Sequence, residues 1–334
     1  MKAVLAETYG GPEVLEPADV PIPKVGPNGV LVQVHASSVN PIDWKLRSGH
    51  LKALMDFVFP VIWGTDFSGV VTEIGSAVTF FKPGDEVYGF KDGRVAKTYR
   101  GTYAEFAVVP EKVAARKPAN LTHEEAAAIP LAAVTAWQAL VTTGRLKPGN
   151  RVLIHAGAGG VGTFAIRIAK ALGAHVAATA GTHNQAFLRQ VGADVPIDYE
   201  NEKIEDKISA CDLVLDGVGK SVWRSSLSVL KRGGKLISLV APTPKKPVGK
   251  IRFFADTGSQ LAAWTVRAML AGKKLIFFRG EPRGGDVDEI TKLVLAQKLR
   301  PVVERVFPLE QIAEAHRLSE AGHVRGKIVI KVSP

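Results

Sequence analysis

Gly157, Gly159, Gly160 and Gly162 crowd the segment RVLIHAGAGGVG at 151–162. The apolar run before them reads as a strand, and TFAIRIAKALGA after them reads as a helix. Strand, glycine turn, helix is the setting in which such spacing carries chemistry. Glycines let the backbone turn tightly and approach a pyrophosphate, whose charge the N–H groups and dipole of a helix N-terminus stabilise. Ala158, Gly159, Gly160, Val161 and Gly162 are therefore the candidate cradle of a dinucleotide. Without their flanks the same glycines would make an ordinary turn.

The residues after the turn bear on which dinucleotide. The next strand is HVAATA (175–180), followed by Gly181-Thr182-His183-Asn184. Sites that take NAD usually carry an Asp or Glu here, about 20 residues past the glycines, to hold the ribose 2′-hydroxyl. No carboxylate occurs from Arg151 to Ala193. A 2′-phosphate is then expected to meet no repulsion and to find donors in Thr182, His183 and Asn184, which points to NADP(H). Against this, no Arg or Lys sits at the turn, and a polar loop opening the next helix would look the same.

These residues need elements to hold them. From residue 1 to about 120 the chain alternates short strands with Gly and Pro: GVLVQVHA (29–36), FSGVVTEIG (67–75), GDEVYGF (84–90) and GTYAEFAVVP (101–110). The rhythm then changes. Thr122 can cap a helix running HEEAAAIPLAAVTAWQALV, with Glu124 and Glu125 in its first turn. RVLIHA, HVAATA, VPID, CDLVLDG, GKLISLVA and KLIFFRG follow as strands separated by helices, at about 184–191, 220–230 and 258–271 among others. This predicts an α/β fold with a doubly wound, six-stranded parallel sheet. The tail PVVERVFPL, EQIAEAHRLSEA, GKIVIKV has no place in that sheet and is expected to return to the first domain. The expected domains are 1–120 with 299–334, and 121–298, with the active site in the cleft between them.

Composition excludes several classes. A chain of 334 residues suggests two domains. A net charge of +11 calls for a nucleic-acid check, but the basic clusters at 245–252 and 323–331 lack aromatic interleaving or a nucleic-acid fold motif. A solvated basic face, or steering of an anionic cofactor, fits better. Apolar runs fall short of the roughly 20 residues of a membrane span, and the N-terminus lacks the apolar core of a signal peptide. One cysteine, Cys211, excludes a disulfide framework. The expected location is the cytoplasm.

Taken together, NPIDWKLRSG (40–49), GTDFSGVVTEIG (64–75), KPGDEVYGF (82–90), GTYAEF (101–106), IPLAAVTAWQAL (129–140), KPGNRVLIHAGAGGVG (147–162), VFPLEQIAEAH (306–316) and GHVRGKIVIKV (322–332) resemble one family, in order and nearly end to end. The resemblance is to the medium-chain dehydrogenase/reductase superfamily, in its zinc-independent quinone and enone reductase branch. It implies a β-rich GroES-like catalytic domain joined to a Rossmann domain, NADPH as hydride donor, and a homodimer paired through the Rossmann sheets. Zinc members of the superfamily carry a Cys where this chain has Asn40, a Gly-His-Glu motif where it has Gly64-Thr65-Asp66, and a second Cys near Leu131. Zinc needs Cys, His or carboxylate ligands at tetrahedral spacing, so no zinc is expected. His123-Glu124-Glu125 lacks the second His of a zinc-protease motif and is better read as a helix start.

Without a metal, hydride transfer to a quinone or to the β-carbon of an enone needs hydrogen-bond donors for the charge growing on the carbonyl oxygen. Asn40, which can donate through its amide, and Lys45 are the candidate catalytic residues, the resemblance matching Lys45 to a lysine that touches cofactor and substrate in plant-type enone reductases. The plainer reading is a turn at Asn40-Pro41 and a solvated Lys45. Asp43 is expected to tether the local loop. Further cofactor contacts implied are Thr135, Gly181, Thr182, Tyr199, Lys327, and Val218, Leu239 and Val240 beyond the fourth and fifth strands. Trp63, Phe277 and Phe278 could shape an acceptor pocket or be plain core. Reduction of an enoyl thioester and a non-catalytic NADPH-binding role remain alternatives.

Overall fold

In the first half of the chain, valines at alternate positions make a strand whose side chains pack inward. Val30, Val32 and Val34 bury themselves against Phe67, Val71, Val87 and Val109. The computed structural model describes residues 1–92, 100–244 and 248–333, so three residues of the basic cluster at 245–252 lie outside the described residues. Two units emerge: 1–134 with 281–297 and 301–334, and 135–280 with 298–300. Residues 121–134 and 281–297, assigned to the second domain from sequence, thus fall with the first unit. Asp66 holds the backbone of Leu131 there, and Tyr88 bonds Thr291.

The first unit contains β1 (Lys2–Ala6), β2 (Glu16–Asp19), β3 (Gly29–Val39), α1 (Pro41–Arg47), β4 (Val61–Ile62), β5 (Asp66–Ile74), β6 (Glu86–Phe90), β7 (Phe106–Pro110), β8 (Ala114–Arg116) and α2 (His123–Ala127). Next in the chain are α3 (Pro130–Trp137) and the second unit: β9 (Arg151–Ile154), α4 (Gly160–Ala171), β10 (His175–Ala180), α5 (Gln185–Val191), β11 (Val195–Asp198), α6 (Ile204–Lys207), β12 (Cys211–Asp216), α7 (Trp223–Val229), β13 (Leu230–Ser238), α8 (Lys250–Leu270) and β14 (Lys274–Phe277). The first unit then resumes with α9 (Gly284–Leu295), β15 (Val303–Pro308), α10 (Ile312–Ala321) and β16 (Lys327–Lys331).

The larger sheet of the first unit runs β15-β16-β3-β5-β6-β8, with β7 also on β3; a smaller one runs β2-β1-β4. The C-terminal tail returns here as expected, because β16 lies antiparallel to β3 with Ile328 opposite Val39. The second unit is the expected six-stranded parallel sheet, in the order β11-β10-β9-β12-β13-β14. Its strand order reverses between β9 and β12, the switch point at which open α/β sheets hold ligands.

Two elements differ from the sequence reading. The helix expected over 123–141 breaks into α2 and α3 at Pro130, whose missing N–H ends one helix and suits the first turn of the next. The helix expected over 258–271 begins at Lys250, eight residues earlier.

A buried polar chain fixes α1 against α10. Arg47, fully buried, donates from Nη1 to His316 Nδ1 (2.9 Å), from Nη2 to Glu320 Oε1 (2.5 Å) and from Nε to the Gly10 carbonyl (3.2 Å). Arginine only donates, so His316 Nδ1 must accept and Nε2 carries the proton toward Tyr103 Oη, 3.2 Å away. Burial, with Arg47 adding to it, holds the His316 imidazole down to about 3, so it is neutral. Tyr103 in turn donates to Asp43 Oδ2 at 3.3 Å. Replacing Arg47 by Met strands His316 and the Gly10 carbonyl without donors; the expected loss is about 1–3 kcal/mol, read from the urea midpoint.

Candidate active site

The glycine turn is built by close packing. A Cβ on Gly162 would lie 2.2 Å from the Ala156 carbonyl oxygen, and one on Gly157 would lie 2.9 Å from both Ala178 and Leu188 side-chain atoms. Only glycine lets α4 start this near the end of β9. Ala156 itself takes a left-handed conformation (φ 52°), a strain of about 1–2 kcal/mol for a residue with a Cβ. Gly159 caps α4 with no side-chain bond to its first N–H groups, which leaves them available to an anion. Val161, Gly159 and Gly160 are half-exposed, and Ala158 is buried. A pyrophosphate fits this cradle.

Two buried groups shape the neighbouring strand ends. Asp216 Oδ1 accepts from the N–H of Val218 (2.7 Å) and Gly219 (2.9 Å), while Oδ2 accepts from Trp223 Nε1 and Ser238 Oγ, both at 2.7 Å. This carboxylate ties down the loops after β12 and β13. Val218 is therefore presented outward at 46% exposure, with Leu239 and Val240 half-buried. His155 bonds Thr179 and Ser226 across β10 and α7, and burial holds its ring down to about 4, hence neutral. Thr135 is half-buried, its hydroxyl 3.3 Å from where a Cβ on Gly280 would stand. Phe277 and Phe278 are half-buried, with Phe277 packed edge-on to Trp223.

At the end of β10 the structure changes the sequence argument. Thr182 Oγ lies 2.7 Å from Asp198 Oδ2 and 2.8 Å from Glu200 Oε2, and the Thr182 N–H points at Glu200 Oε2 (3.3 Å). Hydrogen bonds from Asn201 and Thr182 hold Asp198 below the usual carboxylate range. The region empty of acids in the linear reading is thus faced by two carboxylates from β11 and the turn after it. Tyr199, between them, is 56% exposed.

In the first unit, positions 40, 65 and 131 come together around Asp66. Its Oδ1 accepts the Leu131 N–H (2.8 Å); its Oδ2 accepts from Ser38 Oγ (2.5 Å), Asn40 Nδ2 (2.7 Å) and Lys327 Nζ (3.4 Å). Asn40 Nδ2 also reaches Thr65 Oγ (3.1 Å), and its Oδ1 accepts from Lys327. Lys327 completes its tripod on the Val39 carbonyl at 3.2 Å. Burial pulls the Lys327 ammonium below the usual lysine range, opposed by Asp66 and Asp43. Asn40, Thr65, Asp66 and Lys327 are all buried. This donor set does not fit a tetrahedral zinc: it offers one carboxylate, already satisfied on both oxygens, and a cation beside it. Among the described residues no three His, Cys, Asp or Glu side chains gather to hold a metal.

The cluster also redefines two expected contacts. Both amide hydrogens of Asn40 and all three ammonium hydrogens of Lys327 have protein acceptors, so neither side chain presents a donor outward in this arrangement. Asn40 is the N-cap of α1, and Asp43 closes the capping box by accepting the Asn40 N–H at 2.8 Å. Asp43 tethers the loop, and burial pushes its carboxyl up to about 7. Lys45, one turn along α1, is different. It is half-buried, stands 5.4 Å from the centre of the Trp44 ring, and has no carboxylate partner among the described residues. Burial lowers its ammonium below the usual lysine range. Trp63 is fully buried, edge-on to Phe57. Asp66, Asp216 and Glu200 were missed in the linear reading; Asp66 stood inside the GTDFSG motif, read there only for its lost histidine.

Replacing Lys327 by Met leaves Asp66 buried without its cation, and stability is expected to fall by about 3–5 kcal/mol. Adding Asp66→Asn should recover part of that loss. A double-mutant cycle in urea measures the coupling; strictly additive losses would refute the pairing.

A family model described as an alcohol dehydrogenase GroES-like domain matches residues 26–119, and one described as a zinc-binding dehydrogenase matches 191–330. The mitochondrial NAD(P)H oxidoreductase RTN4IP1 of Danio rerio is 37% identical, over 99% of this chain and 91% of that protein. The chloroplastic NADPH-dependent alkenal/one oxidoreductase of Arabidopsis thaliana is 34% identical, over 100% of this chain and 80% of that protein. Among solved structures, the quinone oxidoreductase from Coxiella burnetii superposes with a TM-score of 0.86 at 35% identity, covering 100% of this chain and 99% of that one. Escherichia coli quinone oxidoreductase complexed with NADPH gives 0.81 at 26%, covering 99% and 100%. The chain belongs to the medium-chain dehydrogenase/reductase superfamily, in its quinone oxidoreductase and enone reductase branch.

Proposed function

We propose that this chain is an NADPH-dependent oxidoreductase that transfers hydride to a quinone or an α,β-unsaturated carbonyl without a metal. The observation that carries the site assignment is a contrast within the first unit. Asn40, Asp66 and Lys327 satisfy one another in a closed cluster, while Lys45 remains a half-buried cation with no carboxylate bonded to it among the described residues. The names of the relatives support the reaction class: NAD(P)H oxidoreductase, NADPH-dependent alkenal/one oxidoreductase and quinone oxidoreductase. The glycine turn and the N-terminus of α4 fit the dinucleotide, with Thr135, Gly181, Thr182, Tyr199, Val218, Leu239 and Val240 as its further proposed contacts.

NADPH, when bound, supplies the hydride. As hydride reaches the β-carbon, negative charge grows on the acceptor's carbonyl oxygen. A charge already in place and partly shielded from water stabilises it without reorganisation, and Lys45 is assigned that role. Asn40 acts as a positioning residue: it caps α1 and so sets where Lys45 stands. The completing proton is assigned to water.

For Lys45→Ala, turnover is expected to fall while affinity for the dinucleotide changes less. Because burial lowers the Lys45 ammonium, it deprotonates earlier than an ordinary lysine as pH rises. The wild-type rate should therefore decline on the alkaline side, and Lys45→Arg should move that decline upward. An unchanged alkaline limb in both variants would remove Lys45 from the reaction.

NADPH oxidation across quinones, free enones and crotonyl-CoA, with and without chelator, tests the function. Strong preference for the thioester would replace this reading with an enoyl-thioester reductase. Binding without oxidation across the panel would make the chain a non-catalytic NADPH-binding protein, and loss of activity on chelation would overturn the metal-free assignment.

A homodimer is part of the reading. It is supported by β14 as a sheet edge and by exposed Ile251, Phe254, Val266 and Met269 along α8. Antiparallel pairing of two such helices would set Ile251 against Met269 and Phe254 against Val266, a self-complementary contact. Val266→Glu is expected to lower the sedimenting mass to that of one chain. For location we carry forward the cytoplasm, from a chain whose single cysteine is buried. Of the relatives named above, the Danio rerio oxidoreductase is mitochondrial and the Arabidopsis thaliana one chloroplastic, and cell fractionation distinguishes the compartments.

A further inference from the structure

We infer that Glu200 sets the choice between NADH and NADPH by holding a carboxylate where the adenosine ribose 2′ group is read. The inference rests on the dinucleotide site proposed above and concerns its selectivity.

NAD-type sites read the 2′-hydroxyl with an acid at the end of the second strand. Here that strand is β10, and the residue just past it is Gly181. A Cβ built on Gly181 would lie 2.6 Å from Glu200 Oε1 and 3.5 Å from Tyr199 Oη. The space that a side chain at 181 would enter is therefore filled by Glu200, delivered from the turn after β11. The missing side chain at 181 and the carboxylate of residue 200 are complementary. Glu200 Oε2 also stands 2.8 Å from the Thr182 hydroxyl, whose single proton it shares with Asp198, and faces the Thr182 N–H; these are two of the donors a 2′-phosphate would use. Asp198 Oδ2 stands on the same hydroxyl.

The consequence follows from charge. A ribose hydroxyl can donate to Glu200 and leave its bonds to Thr182 in place. A 2′-phosphate brings close to two negative charges against that carboxylate and competes for the same donors. Glu200 is exposed, so its side chain can swing aside at a cost. The site therefore accepts NADH alongside NADPH, and Glu200 narrows the gap between them.

The test compares wild type with Glu200→Gln and Glu200→Lys. Binding of NAD⁺ and NADP⁺ is followed by tryptophan fluorescence, and kcat/KM for NADH and NADPH is measured with one quinone. Removing a charge, then reversing it, at close range should raise the NADPH-to-NADH ratio several-fold in Glu200→Gln and by about tenfold or more in Glu200→Lys. Ratios within about twofold of wild type in both variants, with both nucleotides bound, would overturn this inference and leave the proposed function standing. Binding of neither nucleotide to the wild type would overturn both.

Discussion

The carboxylate of Asp66 is the constraint on which the first unit's polar centre depends. Buried in full, it must be met on both oxygens or it destabilises the fold. It is met by Ser38 and Asn40 at the β3–α1 junction, by the backbone at Leu131, and by Lys327 from β16. These donors come from three segments, so satisfying one charge ties three pieces of chain to β5 at once. Where zinc relatives would place ligands, this chain uses a lysine ammonium and an amide to hold the same neighbourhood together. Packing alone, being non-directional, would not set the orientation of the Asn40 amide or the start of α1.

Asp216 plays a parallel role in the second unit. One carboxylate organises the loops after β12 and β13, and His155 braces β9 against β10 and α7. Both groups are buried behind the surface that faces the switch point of the sheet. Burial keeps His155 neutral, so this brace does not add charge near the pyrophosphate cradle.

Much of this was legible in the sequence. The six parallel strands, the glycine turn before α4 and the return of the C-terminal strand followed from hydrophobic rhythm and spacing, which act over short stretches. The replaced zinc positions were legible only through the family resemblance, which marks 40, 65 and 131 as the places where zinc members carry ligands. What took their place was not. Lys327 was expected as a cofactor contact, since no local pattern says that β16 will lie beside Asn40. Glu200 was hidden for the same reason. Counted along the chain, the acid of an NAD-type site falls about 20 residues past the glycines, whereas Glu200 arrives from the turn after β11, into the gap left by Gly181. The break at Pro130 was visible in the sequence but outweighed by the apolar run around it.

The position of Lys327 has a consequence for the order of assembly. Its bond to Asn40 spans 287 residues, and its strand pairs with β3 near the opposite end of the sequence. Loop-closure entropy grows only logarithmically with separation, so the final equilibrium is little affected. Timing is affected far more, because contacts distant in sequence form late. During synthesis, β3 and β5 leave the ribosome long before β16, and for that interval Asp66 lacks its cation. The docking of β16 then joins the sheet and neutralises the buried charge in one event.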